Sequence, residues 1–217
     1  MTNFDLCVIT REVEELHRGH VEVARAALQG GATMIQLREK SLPTRALLAL
    51  AQEIRRLTLR HHAAFIVNDR GDIALASEAD GVHLGREDLP IEIARRLLGP
   101  DAVIGASVDH PEAAREAEAA GASYLGVGPI FATGSKPDAG EAIGADWMAR
   151  IKRAVSIPVL AIGGLTCDNV RGVIAAGADG AAVISAVADA PDMVAATAAL
   201  LKCIREARGT REARGGR

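Results

Sequence analysis

Cysteine is scarce in this chain. Its three cysteines, Cys7, Cys167 and Cys203, are scattered, odd in number and never spaced as CxxC. That argues against both a disulfide framework and a structural zinc site, and reduced cytoplasmic thiols are the simplest reading. Long apolar runs are missing too. No stretch approaches the roughly eighteen uninterrupted apolar residues of a membrane span. The opening MTNFDLCVITREVEE has no basic region leading into a long apolar one, so neither a membrane protein nor a secreted one is expected. Positive charge is not in excess: a net charge of -3 gives no global attraction to nucleic acid or an anionic membrane, and any anion site has to be local. Finally, no GxGxxG follows the first apolar run, which counts against an open dinucleotide-binding sheet.

What is present is alternation. An apolar fraction of 49% with 24% charged residues over 217 positions suits one globular domain with a full core. Short aliphatic or β-branched runs occupy 4–10, 33–37, 64–68, 81–85, 102–107, 123–128, 158–164 and 180–185, eight in all. Segments of helical period lie between them, among them Val21–Gln29, Thr44–Leu59, Pro111–Ala120, Trp147–Val155 and Asp168–Ala176, with a last one over Asp192–Ile204. Runs two, four, six and eight are each entered through a small-residue turn: GGAT (30–33), SEADG (77–81), AGAS (120–123) and AGADG (176–180). Glycine there supplies the left-handed residue that ends a helix. A strict βαβα order makes parallel strands with right-handed crossovers and an outer layer of helices, and eight such strands close into a barrel. The predicted fold is α/β, a (β/α)8 TIM barrel with a parallel eight-stranded core, in a single domain over 1–204. Beyond Ile204 no apolar side chain larger than alanine occurs, and 205–217 reads REARGTREARGGR. So basic a segment buries too little to offset its ordering entropy and is expected to be a disordered, solvated tail.

In such a barrel the chemistry sits at the C-terminal ends of the strands. Those ends carry Gln36, Arg38 and Lys40 after run two, Asn68 and Asp69 after run three, and His83 and Asp88 after run four. Run five ends in Ser107, run six leads into Thr133, Ser135 and Lys136, run seven into Gly163–Gly164, and run eight into Ser185. Arg38, Lys40 and Lys136 come from different strands, and cations converging on a net-negative scaffold read as a focused anion site. The paired glycines, followed by a helix from about Asp168, read as a phosphate loop that Ser185 would close. Asp69 and Asp88 follow adjacent strands and offer two carboxylates to one ion. With no His/Cys cluster for a transition metal, magnesium is the expected cation. Two phosphate sites and a magnesium suit transfer chemistry on a diphosphate.

Each of these residues also has a plainer role open to it. Asn68 or Asp69 could cap a helix beginning near Asp72, Asp88 could shape the turn before Pro90, and Arg38 with Glu39 could form a solvated pair at the rim. Ser107 could cap the following helix, and Ser185 could be a loop hydroxyl without a ligand. His83 reads as an inward, packed residue with both nitrogens satisfied, and His17, His20, His61 and His62 read as surface residues.

Taken together, QLREK (36–40), FIVNDR (65–70), GVHLGREDLP (81–90), GVGPIFATGSKPD (126–138) and AIGGL (161–165) closely resemble thiamine phosphate synthase, a (β/α)8 transferase family, over about Phe4 to Ala188. The resemblance implies coupling of a hydroxymethylpyrimidine diphosphate to the phosphate ester of a hydroxyethyl thiazole, with release of pyrophosphate. It implies Arg38, Lys40, Asn68 and Lys136 at the diphosphate, Asp69 and Asp88 at a bridging Mg2+, and Gln36 and Ser107 along the pyrimidine. Thr133 and Ser135 would line the thiazole side, with Gly164 and Ser185 at its phosphate. Arg38, Lys40, Lys136 and Ser107 would act on the reacting centre, and the loop after run six would form a flap carrying Lys136 toward the leaving group. The implied partners are small molecules, not nucleic acid or membrane; a homo-oligomer is left open. The chain departs from the family pattern at Arg86, Ala132 and Ser135, where Gln, Pro and Thr are usual, and at Asp109–His110, where the histidine usually stands two residues after the serine. Two other functions stay open: a thiazole tautomerase-like paralogue, which would not need the diphosphate set, and a non-catalytic barrel that senses ligand.

Overall fold

Every one of the eight apolar runs becomes a strand, because each is covered on both sides and so needs no polar face. The computed structural model describes residues 2–135 and 140–215. The strands are β1 Leu6–Thr10, β2 Met34–Leu37, β3 Ala64–Asn68, β4 Gly81–Leu84, β5 Val103–Val108, β6 Tyr124–Val127, β7 Val159–Ile162 and β8 Gly180–Val183. They pair in parallel and in sequence order, and β8 returns to β1 to close the barrel. The helices are α1 His20–Gln29, α2 Thr44–His61, α3 Gly71–Ala76, α4 Ile91–Leu98, α5 Pro111–Ala119, α6 Gly144–Arg153, α7 Val170–Ala175, α8 Ser185–Ala188 and α9 Met193–Gly215. No helix among the described residues is long and apolar enough to cross a membrane.

The period-two alternation of each strand sorts side chains between two cores. Leu6 and Val8, Ile35 and Leu37, and Phe65 and Val67 pack outward against the helices. Cys7, Ile9, Met34, Ile66, Tyr124 and Leu160 pack against one another in the lumen. Gly105 makes room there: a Cβ at this position would stand 2.2 Å from the Tyr124 ring and 2.4 Å from His83. The inward register that plugs the lumen also sends Gln36, Asn68, His83 and Ser107 toward the open end.

The recurring turns before the even strands have a shared function at the other end. Thr33 Oγ1 accepts the Leu6 N–H at 3.0 Å, Asp80 Oδ2 that of Phe65 at 2.7 Å, Ser123 Oγ that of Ile104 at 3.1 Å, and Asp179 Oδ2 that of Val159 at 2.8 Å. In each case the polar residue before an even strand ties down the odd strand that precedes it, which satisfies a donor the ladder leaves open. Arg55 pairs with Asp80 and Lys152 with Asp179, both at 2.8 Å, and Arg95 donates to Ser123 Oγ at 3.1 Å.

The expected solvated tail is instead the last part of α9 as far as Gly215; residues 216–217 lie outside the described residues. Asp5, only 4% exposed, requires compensation for its buried charge. Arg205 Nε reaches Asp5 Oδ2 at 3.1 Å, and Arg208 donates to Asp5 Oδ1 and to the Asp179 carbonyl. Arg211 donates to the carbonyls of Ile174 and Ala178 at 3.2 and 3.0 Å. The count of apolar residues missed this because arginine forks, rather than apolar burial, dock the segment. His20 is a second correction: it is buried, 3% exposed, rather than a surface residue.

Candidate functional site

The C-terminal mouth of the barrel opens into a cavity of about 700 Å³. Gln36, Arg38 and Lys40 line it from the β2 end, Asn68 and Asp69 from β3, Asp88 from the β4 loop and Ser107 from β5. Thr133, Ser135, Gly164 and Ser185 line the opposite side. Lys136 lies outside the described residues.

A hydrogen-bonded network forms the floor. Tyr124 on β6, 1% exposed, places its hydroxyl 3.0 Å from His83 Nδ1 on β4, and His83 Nε2 lies 2.9 Å from Ser107 Oγ on β5. The Gln36 side chain acts on the same phenol to lower its pKa, less than burial raises it. Burial pushes the Tyr124 phenol well above its ordinary value and the neighbouring Cys7 thiol up to about 12, so both stay uncharged at neutral pH. His83 has both nitrogens satisfied, as expected, but it also faces the cavity. Tyr124 was missed by the sequence reading; counting back two from Gly126 along an inward face would have found it.

On one rim, charge is concentrated. Asp69 follows β3 in the left-handed region at φ 63°, with its N–H donating to His83 O at 2.8 Å. Its carboxylate lies 3.5 Å from Lys40 Nζ. Burial, a hydrogen bond with Asp88 and the charge of Asp88 raise the Asp69 pKa, and Lys40 only partly offsets them. The two carboxylates therefore face each other closely enough to repel or to share a cation. Asp88 Oδ2 also accepts the Gly85 N–H at 2.6 Å, closing the turn as one of its plainer roles required. Neither Asn68 nor Asp69 caps α3, whose N-cap is Arg70, and Ser107 does not cap α5, whose N-cap is His110.

On the other rim, Ser135 Oγ donates to Ser185 Oγ at 2.9 Å, joining the β6 and β8 loops. Gly163 and Gly164 are left-handed, with φ of 97° and 63°. A Cβ on Gly164 would lie 2.7 Å from the Ala132 carbonyl and 2.8 Å from Phe131 Cβ, so only glycine lets these loops approach. Asn169 Nδ2 donates to Gly164 O at 2.9 Å, and α7 starts at Val170 rather than near Asp168. The single-turn α8, which begins at Ser185, was not anticipated. Arg86 and Asp109 also line the mouth; neither was among the expected site residues.

The family model described as thiamine monophosphate synthase matches residues 6–187. The thiamine-phosphate synthase of Moorella thermoacetica is 54% identical over 209 residues, which is 96% of this chain and 100% of that protein. The one from Methanospirillum hungatei is 52% identical over 192 residues, 88% of this chain and 93% of its own. Among solved structures, the thiamine phosphate pyrophosphorylase of Pyrococcus furiosus superposes with a TM-score of 0.87 at 47% identity, covering 95% of this chain and 98% of that one. A 3-hexulose-6-phosphate synthase at 19% identity and a TM-score of 0.66 shares the fold alone. Sequence relatives and solved structure agree along nearly the whole length, and the chain belongs to the thiamine monophosphate synthase family of transferases.

Proposed function

We propose that this chain joins 4-amino-5-hydroxymethyl-2-methylpyrimidine diphosphate to 4-methyl-5-(2-phosphoethyl)thiazole, giving thiamine phosphate and pyrophosphate. The observation that carries the reading is the rim where Lys40 approaches Asp69 at 3.5 Å while Asp69 meets Asp88, with Arg38 and Asn68 lining the same cavity. Cations and carboxylates from three strand ends suit a diphosphate and a divalent ion together.

The acidic pair fits magnesium, which takes one or two carboxylates and fills its remaining positions with water and phosphate oxygens. Among the described residues no three His, Cys, Asp or Glu side chains gather to hold an ion, so a substrate diphosphate would complete the shell. Bound there, the ion would spread positive charge over the diphosphate oxygens and stabilise the leaving group.

The remaining chemistry falls to the chain. Arg38, Lys40 and Lys136 neutralise charge growing on the departing diphosphate as the methylene C–O bond breaks with its electron pair on oxygen. The aminopyrimidine ring feeds electrons to the methylene carbon, and the thiazole nitrogen lone pair then forms the new C–N bond. Gln36 and Ser107 lie along the pyrimidine, and Ser107 is held in place by His83 with Tyr124 behind it. Thr133 and Ser135 line the thiazole, and Gly164 and Ser185 take its phosphate. Fixing both rings face to face removes much of the entropic barrier. Arg38, Lys40, Asn68, Asp69 and Asp88 lining one cavity favour ring joining over the tautomerase reading, which would not need them. Incubation of the protein with both substrates and magnesium should yield thiamine phosphate and pyrophosphate; no product under conditions where the protein is folded would overturn the proposal.

A further inference from the structure

Between Arg38 and Lys40 the chain carries a residue that points the other way. Both neighbours line the cavity, whereas Glu39 turns back toward α1 with its side chain 10% exposed. Its Oε2 accepts from His20 Nε2 at 3.1 Å. Its Oε1 accepts the Ser41 hydroxyl at 2.6 Å, the Leu42 N–H at 3.0 Å and the Ser41 N–H. Because a carboxylate only accepts, His20 Nε2 must carry a hydrogen, and Nδ1 is left for Thr10 Oγ1 at 2.7 Å. Thr10 ends β1 and is 1% exposed. A continuous path of hydrogen bonds thus runs from the end of β1 through the first residue of α1 to the loop after β2.

We propose that Glu39 is a positioning residue for the diphosphate: by tying the β2–α2 loop to His20, it holds Arg38 and Lys40 facing the cavity. The inference rests on the reading of those two cations as diphosphate ligands. Apolar packing cannot do this work, since every residue from 40 to 46 is exposed. A segment with no buried side chain keeps one geometry only through its polar anchors. The alternation of β2 carries on past its end, so that tying the middle residue back to α1 leaves the two flanking ones facing the mouth. Burial alone would raise the Glu39 pKa, but its bonds to Ser41, Leu42 and His20 outweigh this and hold it down at about 2, so the anchor is an anion throughout the working range.

The test uses the full chain with Glu39→Gln, His20→Gln and His20→Ala, beside Arg38→Ala and Lys40→Ala. The readouts are the KM of each substrate, kcat, and the calorimetric Kd of inorganic pyrophosphate with magnesium. For Glu39→Gln the KM for the pyrimidine diphosphate and the Kd for pyrophosphate should each rise about tenfold, with the thiazole phosphate KM unchanged within twofold. His20→Gln, whose amide still donates to the carboxylate, should stay near the wild type where His20→Ala follows Glu39→Gln. If Arg38→Ala and Lys40→Ala weaken diphosphate binding but Glu39→Gln and His20→Ala do not, or if both KM values rise together, the positioning inference is overturned. If Arg38→Ala and Lys40→Ala leave diphosphate binding unchanged, the reading of the site fails, and this inference with it.

Discussion

Arg86 and Asp109 close on each other across the mouth, Nη1 to Oδ2 at 2.7 Å. They stand at two of the positions where the chain departs from the usual family pattern, and the departures meet in one ion pair. His110 Nδ1 holds the other oxygen of Asp109 at 2.6 Å, and the Trp147 indole donates to the Asp109 carbonyl at 2.7 Å. The β4 and β5 loops are thereby joined above the cavity. Because the Arg86 side chain is 71% exposed, Arg86→Ala should cost less than about 1 kcal/mol in denaturant unfolding. A larger loss would mean that the pair holds the loops and not only the rim.

Asp69→Asn with Asp88→Asn should abolish magnesium-dependent coupling, by a hundredfold or more (roughly the scale of losing one preorganised charge contact or above). The fold should survive. Without magnesium the thermal midpoint should hold or rise, because the substitution removes two facing carboxylates that repel. Turnover equal to wild type would refute the metal assignment.

Lys136→Ala should lower kcat more than it weakens binding of the thiazole phosphate, since the assigned partner is the departing pyrophosphate. Single-turnover rates beside a thiazole phosphate titration separate the two. A loss confined to thiazole affinity would move Lys136 to the other substrate.

Glu39 should leave a signature in acid. Its folded-state pKa of about 2 lies below the ordinary 4.5, so the folded chain binds fewer protons than the unfolded one. The stability this provides is complete above pH 4.5 and disappears as pH falls toward 2. Denaturant titrations of wild type and Glu39→Gln should therefore differ most near neutral pH and converge across that window. Curves that stay parallel would contradict the assignment.

Removing residues 205–217 deletes three arginines that close the underside of the barrel, and leaves Asp5 buried without a cation. Arg208→Ala alone should cost about 2 kcal/mol, the scale of a charged hydrogen bond lost at a buried group. The truncation should cost more and lower the thermal midpoint further. A truncated chain as stable as the full one would return the segment to the status of a solvated tail.

Several of these features were legible in one dimension. The eight runs and the four repeated turns gave strand order and closure, because burial on both faces leaves a local mark, as does the left-handed residue past a helix, which is Gly31, Gly121 and Gly177 in three turns but Glu78, not the expected glycine, in the turn before β4. The polar residues after each run could be assigned to one mouth, since the C-terminal ends of parallel strands necessarily share a side. Tyr124, Arg86 and Asp109 were harder, because their value depends on partners 41, 23 and 23 residues away in sequence.

Local periodicity determined that this protein is a closed parallel barrel with its polar side chains gathered at the C-terminal end. Only the tertiary structure decided that Glu39 faces His20 and not Arg38, that Asp69 opposes Asp88 rather than capping α3, and that Arg205, Arg208 and Arg211 dock beneath the barrel. The physical reason is range. Backbone propensity and apolar alternation act between near neighbours along the chain, while hydrogen bonds and charge pairs depend on atoms that only the closed fold brings within reach.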